Sequence, residues 1–235
     1  MEHTITPTAH SCAACVKQQH CPKQYYYSES SLRRENVSQQ IYPHGKPLFH
    51  QGERVKHLFY LKSGSVKKFY TNPDGDQQIV NFYFSGEIID PIYCWLEAYH
   101  SCSAVCLERS IVCLFQLQSF FTNPDKLDRI AKDFHAVFQS ELKHQHETLL
   151  SVGQNVAHKR LLMFLFELID RQHLAHNNAA NIKFTMSRDE IANYLGLAPE
   201  TISRTISSFA RKGLISAKKK NLEIYDLEKL YQSIN

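Results

Sequence analysis

The spacing of apolar positions changes twice along the chain. Between residues 37 and 118 they come in short bursts. Gln39-QIYPHG, Leu58-FYLKSG, Ser65-VKKFYT, Gln78-IVNFYF and Ile111-VCLFQL are rich in β-branched and aromatic residues, which suit a pleated, half-buried surface. Gly45, Gly52, Gly64, Asn72-PDGD and Gly86 punctuate them. Asp74-Gly75 between two alternating runs signals a hairpin, because Gly accepts the positive φ that tight turns need. Many short strands at close spacing predict a sandwich or jelly roll.

From about Pro124 the period lengthens. Leu127, Ile130, Phe134, Val137, Phe138, Leu142, Leu149 and Val152 recur every three or four residues or a multiple of that, separated by charged residues and His. This predicts one long amphipathic helix, roughly 40 Å at ~1.5 Å per residue and longer than a small barrel needs to cover itself. The stripe is narrow and near the coiled-coil period, which predicts a two-helix dimer seam at Ile130, Phe134, Phe138, Leu142, Gln145 and Leu149. Packing of the whole helix onto the barrel is the alternative. Gln145 puts a polar group into the stripe, which lowers seam stability and favours one register.

A third pattern fills the last part of the chain. Ala157-HKRLLMFLFELIDRQH crowds apolar residues on one helix face, and a loop rich in Asn and Ala follows. Ser187 with Glu190 forms a capping box for a short helix. Gly196 breaks it, Ala198-Pro199-Glu200-Thr201 opens a second helix, and Gly213 ends that one. Two short strands around Lys218 to Asn221 complete a winged helix-turn-helix layout. The expected class is α+β: a cysteine-bearing tail over 1–35, a β jelly roll over 36–122, a dimerisation helix over 123–155 and a winged helix-turn-helix over 156–235.

Charge sharpens this picture. The net charge is +4; residues 1–155 carry 15 Lys and Arg against 15 Asp and Glu, whereas residues 156–235 carry 12 against 8. Within 199–220 the balance is six basic residues to one acidic. A local basic patch is the footprint of phosphate contacts, although a solvated charged face has the same composition. In a helix-turn-helix the first turns of the second helix meet base edges in the major groove. Here those residues are Pro199, Glu200, Thr201, Ser203 and Arg204. Arg204 can donate twice to a guanine, Glu200 can accept from a cytosine amine, and Ser203 suits either role. Lys212 and Lys218 are better placed for phosphates, which position without specifying.

The chain opens on a polar stretch, Met1-EHTITPTAH, with neither a basic start nor an apolar run, and its longest apolar block, Leu161-LMFLFELI, is too short to span a bilayer. A cytoplasmic protein without a membrane partner is expected. That compartment is reducing, so the seven cysteines are poor disulfide candidates. Cys12, Cys15 and Cys21 stand together on a polar tail, where metal or redox chemistry is the better reading. An iron–sulfur cluster, a zinc site and a redox couple are the candidates. Zinc takes four thiolates but favours two compact C-x2-4-C knuckles, of which only one is present. A thioredoxin-like Cys12-x-x-Cys15 couple lacks its βαβ setting.

With these residues in view, the sequence resembles the CRP/FNR transcription regulators. Gly196-LAPETISR-Thr205 is similar to that family's recognition helix, specifically in its oxygen-responsive FNR branch. Pro43-HGKPLFHQGE, Leu61-KSGSVK and Asp74-GDQQIVNFYFSGEIID follow the order of a cyclic-nucleotide-binding-type barrel. The resemblance implies that Glu200, Ser203 and Arg204 read TTGAT-type half-sites in an inverted repeat of double-stranded DNA, with RNA polymerase as the protein partner. It further implies that Cys12-x2-Cys15-x5-Cys21 is the N-terminal motif for a [4Fe-4S] cluster, whose iron compensates most of the charge of four thiolates. The fourth ligand lies on the strand before the dimer helix, where Ser110-IVCLF-Gln116 places Cys113. Cys94, Cys102 and Cys106 have no counterpart in that pattern and read as small buried hydrophobes. A cyclic nucleotide is not expected: Gly86-Glu87 is present, but Tyr99-HSCSAVC-Leu107 lacks the arginine that grips a cyclic phosphate. No Gly-rich dinucleotide fingerprint or catalytic constellation supports the remaining alternative, an iron–sulfur oxidoreductase, so the chain is not expected to be an enzyme.

Overall fold

The computed structural model describes residues 37–93, 99–118, 124–154 and 156–233. They fall into two compact units that part inside the long helix, between Lys143 and His144.

The first unit is a β roll of eight strands: β1 (Val37–Tyr42), β2 (Pro47–Phe49), β3 (His57–Ser63), β4 (Ser65–Thr71), β5 (Gln77–Phe84), β6 (Ile88–Ile89), β7 (Ser103–Cys106) and β8 (Ser110–Gln116). They form two four-stranded sheets, ordered β1-β8-β3-β6 and β2-β7-β4-β5, and every pairing is antiparallel. The Asn72–Asp76 turn joins β4 to β5. The Gly75 N–H donates to the Asn72 carbonyl at 3.0 Å, the Asp76 N–H to Asn72 Oδ1 at 2.8 Å, and Gly75 takes φ 91°. Gly64, at φ 101° between β3 and β4, is required for another reason: a Cβ there would lie 2.8 Å from Ser110 Cα and collide with its side chain. The three strands that the sequence pattern does not reveal, β2, β6 and β7, have two to four residues each. That is too short for alternation to register.

Strand alternation sorts β8 onto two buried faces. Val112 and Leu114 join Phe49, Phe59, Leu61, Val66, Tyr83, Ile89 and Ala104 in one core cluster. Cys113 and Phe115 point the other way and join Val55, Leu58, Tyr60, Leu117 and Phe134. Phe134 belongs to the long helix α1 (Pro124–Gln154, 31 residues), about 46 Å at ~1.5 Å per residue.

This corrects part of the expected dimer seam. Phe134 is only 3% exposed, and Phe138 packs half-buried against the same cluster. The surface of Phe134 is taken up within its own chain, and that of Phe138 in part, as in the alternative of helix packing on the barrel. Farther along, Leu142 is 57% exposed and Leu149 69%, with Leu150 also exposed and Gln145 half-buried. The side chain of Ile130 lies outside the described residues.

The second unit contains α2 (Ala157–Arg171), β9 (Ala175–His176), β10 (Ala179–Lys183), α3 (Arg188–Leu195), α4 (Pro199–Arg211), β11 (Ile215–Lys218), β12 (Asn221–Ile224) and α5 (Leu227–Gln232). Its sheet runs β11-β12-β10-β9. The segment expected as a loop rich in Asn and Ala is a hairpin. Asn177 and Asn178 both take positive φ, 47° and 61°, the pairing a two-residue hairpin turn of the primed type demands. Only Ala180 and Ile182 of β10 are buried, so the strand carries little hydrophobic pattern. No helix among the described residues is long and apolar enough to cross a membrane.

Candidate nucleic-acid interface

The surface is built from α3, its turn and α4. Ser187 and Glu190 cap α3 reciprocally: the Glu190 N–H donates to Ser187 Oγ at 3.1 Å and the Ser187 N–H to Glu190 Oε2 at 2.7 Å. Gly196 ends the helix at φ 61° and ψ 42°, the left-handed position that glycine fills without a Cβ penalty. Arg160 of α2 donates to the carbonyls of Leu195 and Gly196 at 3.2 and 3.4 Å. A cation beside unsatisfied C-terminal carbonyls satisfies them and complements the negative end of the helix dipole. The turn between the helices is thereby held from a third element.

Pro199 starts α4, and Ile202, Ile206 and Phe209 bury one face of it. The opposite face presents Glu200 and Arg204 exposed, with Thr201 and Ser203 half-exposed. Pro199 is half-buried at the helix start. The Thr205 hydroxyl donates back to the Thr201 carbonyl at 2.8 Å, and Arg204 Nη2 lies 3.5 Å from Thr201 Oγ1. Lys212 follows α4 and Lys218 ends β11; both are exposed. Lys219, at φ 52°, makes the tight wing turn. One residue absent from the sequence-based set faces this surface: Arg188, at the start of α3, donates from Nη1 to Ser203 Oγ at 3.0 Å. Fifteen residues separate the two, so no periodicity could have signalled the pair.

The roll holds a second polar assembly. Lys68 Nζ lies 2.9 Å from Asp90 Oδ1 and 3.8 Å from Glu141 Oε1. Glu141 Oε1 also accepts from Asn81 Nδ2 at 3.1 Å and from the Tyr83 hydroxyl at 3.0 Å. His100 Nδ1 is 3.3 Å from Asp90 Oδ2, and its ring stacks on Phe49 at 3.7 Å. Glu141 belongs to α1, so this assembly fastens the helix to the roll. Burial works against the Asp90 carboxylate, but the His100 hydrogen bond and the Lys68 charge outweigh it and hold its carboxyl below the ordinary range. Burial likewise opposes the Lys68 charge, and Tyr83, Asp90 and Glu141 more than restore it. Glu87, of the Gly86-Glu87 pair, is engaged locally, accepting from the Phe84 N–H at 2.9 Å.

Cys113 is 6% exposed on β8, which lies between β1 and β3. Gln39 and Tyr60 are its ladder partners. Cys12, Cys15, Cys21 and Cys94 lie outside the described residues. Cys102 and Cys106 are buried, as small hydrophobes would be, and burial pushes the Cys106 thiol up to about 11.

A β roll, a long helix and a winged helix-turn-helix with a basic reading face define a DNA-binding regulator. Comparison with known proteins agrees. Residues 159–233 match the Crp-like helix-turn-helix domain, and residues 39–122 the cyclic nucleotide-binding domain. The transcriptional regulatory protein btr of Bordetella pertussis is 31% identical over 232 residues, covering 98% of this chain and 96% of the relative. The fumarate and nitrate reduction regulatory protein of Escherichia coli is 29% identical over 190 residues, 80% of this chain and 75% of the relative. Among solved structures, FixK2 from Bradyrhizobium japonicum superposes with a TM-score of 0.74 at 22% identity, over 83% of this chain and 96% of that one. This chain belongs to the CRP/FNR superfamily of transcription regulators.

Proposed function

We propose that this regulator senses oxygen through a [4Fe-4S] cluster held by Cys12, Cys15, Cys21 and Cys113. In this reading it pairs into a homodimer when oxygen is low and controls promoters by reading TTGAT-type inverted repeats, working with RNA polymerase. The observation that carries the reading is the place of Cys113. Its side chain shares a core cluster with Phe134 of α1, so a change at that sulfur is felt where the helix meets the roll. The donor chemistry fits: four cysteines suit the cluster, one of them fixed on a strand paired on both sides. When bound, the cluster would supply an oxygen-labile tie between the tail and the roll.

The remaining work falls to the chain's own residues. Phe134 and Phe138 seat α1, Glu141 fastens it, and Leu142 and Leu149 offer the partner an apolar stripe. Pairing spaces two recognition helices about 34 Å apart, one turn of DNA. The name of the Escherichia coli relative, which cites fumarate and nitrate reduction, agrees with control under low oxygen. A cyclic nucleotide has no place in this reading: among the described residues the buried cation of the roll, Lys68, is already paired with Asp90 and Glu141.

The test is anaerobic purification followed by iron, sulfide and visible-absorption analysis, with duplex affinity measured before and after exposure to air. Equal iron and sulfide and a large loss of affinity in air are expected. Zinc in their place, or equal affinity in both states, overturns the reading. Cys113→Ser, kept anaerobic, should lose the chromophore and the tight binding together.

A further inference from the structure

We propose that Arg188 is a positioning residue for base readout. It holds the Ser203 hydroxyl as a hydrogen-bond donor, so that Ser203 reads an acceptor atom on a base edge. The inference rests on α4 being the DNA-reading helix and adds to that reading both a residue and a direction for one contact.

Three observations support it. Arg188 Nη1 donates to Ser203 Oγ at 3.0 Å, joining the first turn of α3 to the exposed side of α4. Stability does not explain a cation at this place. Arg188 is exposed and occupies the first turn of a helix, where the positive end of the peptide dipoles disfavours it. Holding a long exposed side chain in one geometry also costs rotamer entropy.

The third observation concerns the hydroxyl itself. Two residues along, Thr205 closes its hydroxyl onto the Thr201 carbonyl at 2.8 Å, the usual resting place for such a group in a helix. Ser203 instead accepts from a guanidinium, and among the described residues nothing takes up its proton.

The consequence is chemical. A hydroxyl carries one donor and two acceptor sites. A guanidinium against the oxygen occupies one acceptor site and draws electron density from the rest, so the O–H becomes the stronger donor and the oxygen the weaker acceptor. In the major groove such a group pairs with guanine N7 or O6, adenine N7 or thymine O4, and is mismatched to the cytosine N4 amine. From sequence alone Ser203 could have played either part; Arg188 selects one.

The test uses the full-length protein, prepared without air. The wild-type chain first selects duplexes from a randomised library. Affinities of wild type, Arg188→Ala, Ser203→Ala and the double variant are then measured on a panel that changes each base pair of the selected half-site, at several salt concentrations. Thermal melting of each variant checks that the fold is kept.

Both single variants should lose discrimination at the same base pair, by roughly fivefold or more. The double variant should lose no more than Ser203→Ala alone. Removing the acceptor atom at that pair, for example with a 7-deaza purine, should weaken wild type and leave Ser203→Ala unaffected. The proposal is overturned if Arg188→Ala leaves affinity unchanged. It is equally overturned if that variant weakens all duplexes by one factor while lowering the salt slope by about one, the mark of a phosphate contact. Failure of the wild type to select any sequence would instead overturn the DNA-reading assignment of α4 itself.

Discussion

Arg204 and Glu200 stand four residues apart on the exposed face of α4, and on a bare surface they would amount to a weak ion pair of ~0.3–0.5 kcal/mol. Their place at the head of the second helix of a helix-turn-helix gives them a different weight. Arg204→Ala should cost about 1–3 kcal/mol on the selected duplex and relax the preference at one base pair. Lys218→Ala should weaken all sequences alike and reduce the salt slope by about one. Titrations against a base-substituted panel at several salt concentrations separate the two. At this scale the sequence was legible wherever the partners are near in the chain. The capping box of Ser187 and Glu190 and the glycine stop at Gly196 are local, and both were read from spacing. Arg160 and Arg188 were not, because the groups they meet lie 35 and 15 residues away, and only the packing of helices brings them together.

The long helix shows how one amphipathic stripe can serve two surfaces. Its pattern is continuous from Leu127 to Val152, so the sequence left two readings, a dimer seam from Ile130 to Leu149 or packing of the whole helix onto the barrel. The structure divides it: Phe134 is absorbed by the roll and Phe138 partly so, while Leu142 and Leu149 stay exposed. If the exposed half is the proposed dimer seam, Leu149→Lys should leave the melting temperature of the chain nearly unchanged while abolishing self-association, read by sedimentation. It should also weaken binding to an inverted repeat far more than to a single half-site.

At the roll end of the same helix, the Lys68–Asp90–Glu141 assembly adds a pH dependence. The Asp90 carboxyl is held below its ordinary range, so its contribution is present above the unfolded value of about 3.9 and is lost as pH falls through the folded value. Asp90→Asn leaves Lys68 without its nearest partner and should cost on the order of 3 kcal/mol at neutral pH. That deficit should close in acid, below about pH 4, which thermal melting across pH would show.

For the whole molecule, the proposed oxygen switch puts its chemistry at one sulfur. Cys113 and Phe134 belong to one buried core cluster, and close-packed interiors transmit small changes because they cannot deform smoothly. In the proposed switch, a change at Cys113 would bear on the seating of α1, and through α1 on pairing with a second copy. The Cys113→Ser variant tests this at molecular scale, since loss of the chromophore should appear together with loss of dimer and of operator affinity. A variant that keeps dimer and operator while losing the chromophore would separate the cofactor from the switch.

The sequence by itself determined the order of the parts and the winged helix-turn-helix. These follow from short-range rules: strand and helix periods, glycine turns and capping. It also supplied the cysteine spacing, which is a local fact. Tertiary structure alone decided which half of the α1 stripe is buried, that Cys113 shares its cluster with Phe134, and that Arg188 meets Ser203. Each of these depends on which surfaces face each other once the elements pack. A one-dimensional period records that a face is apolar or polar and leaves open what will cover it.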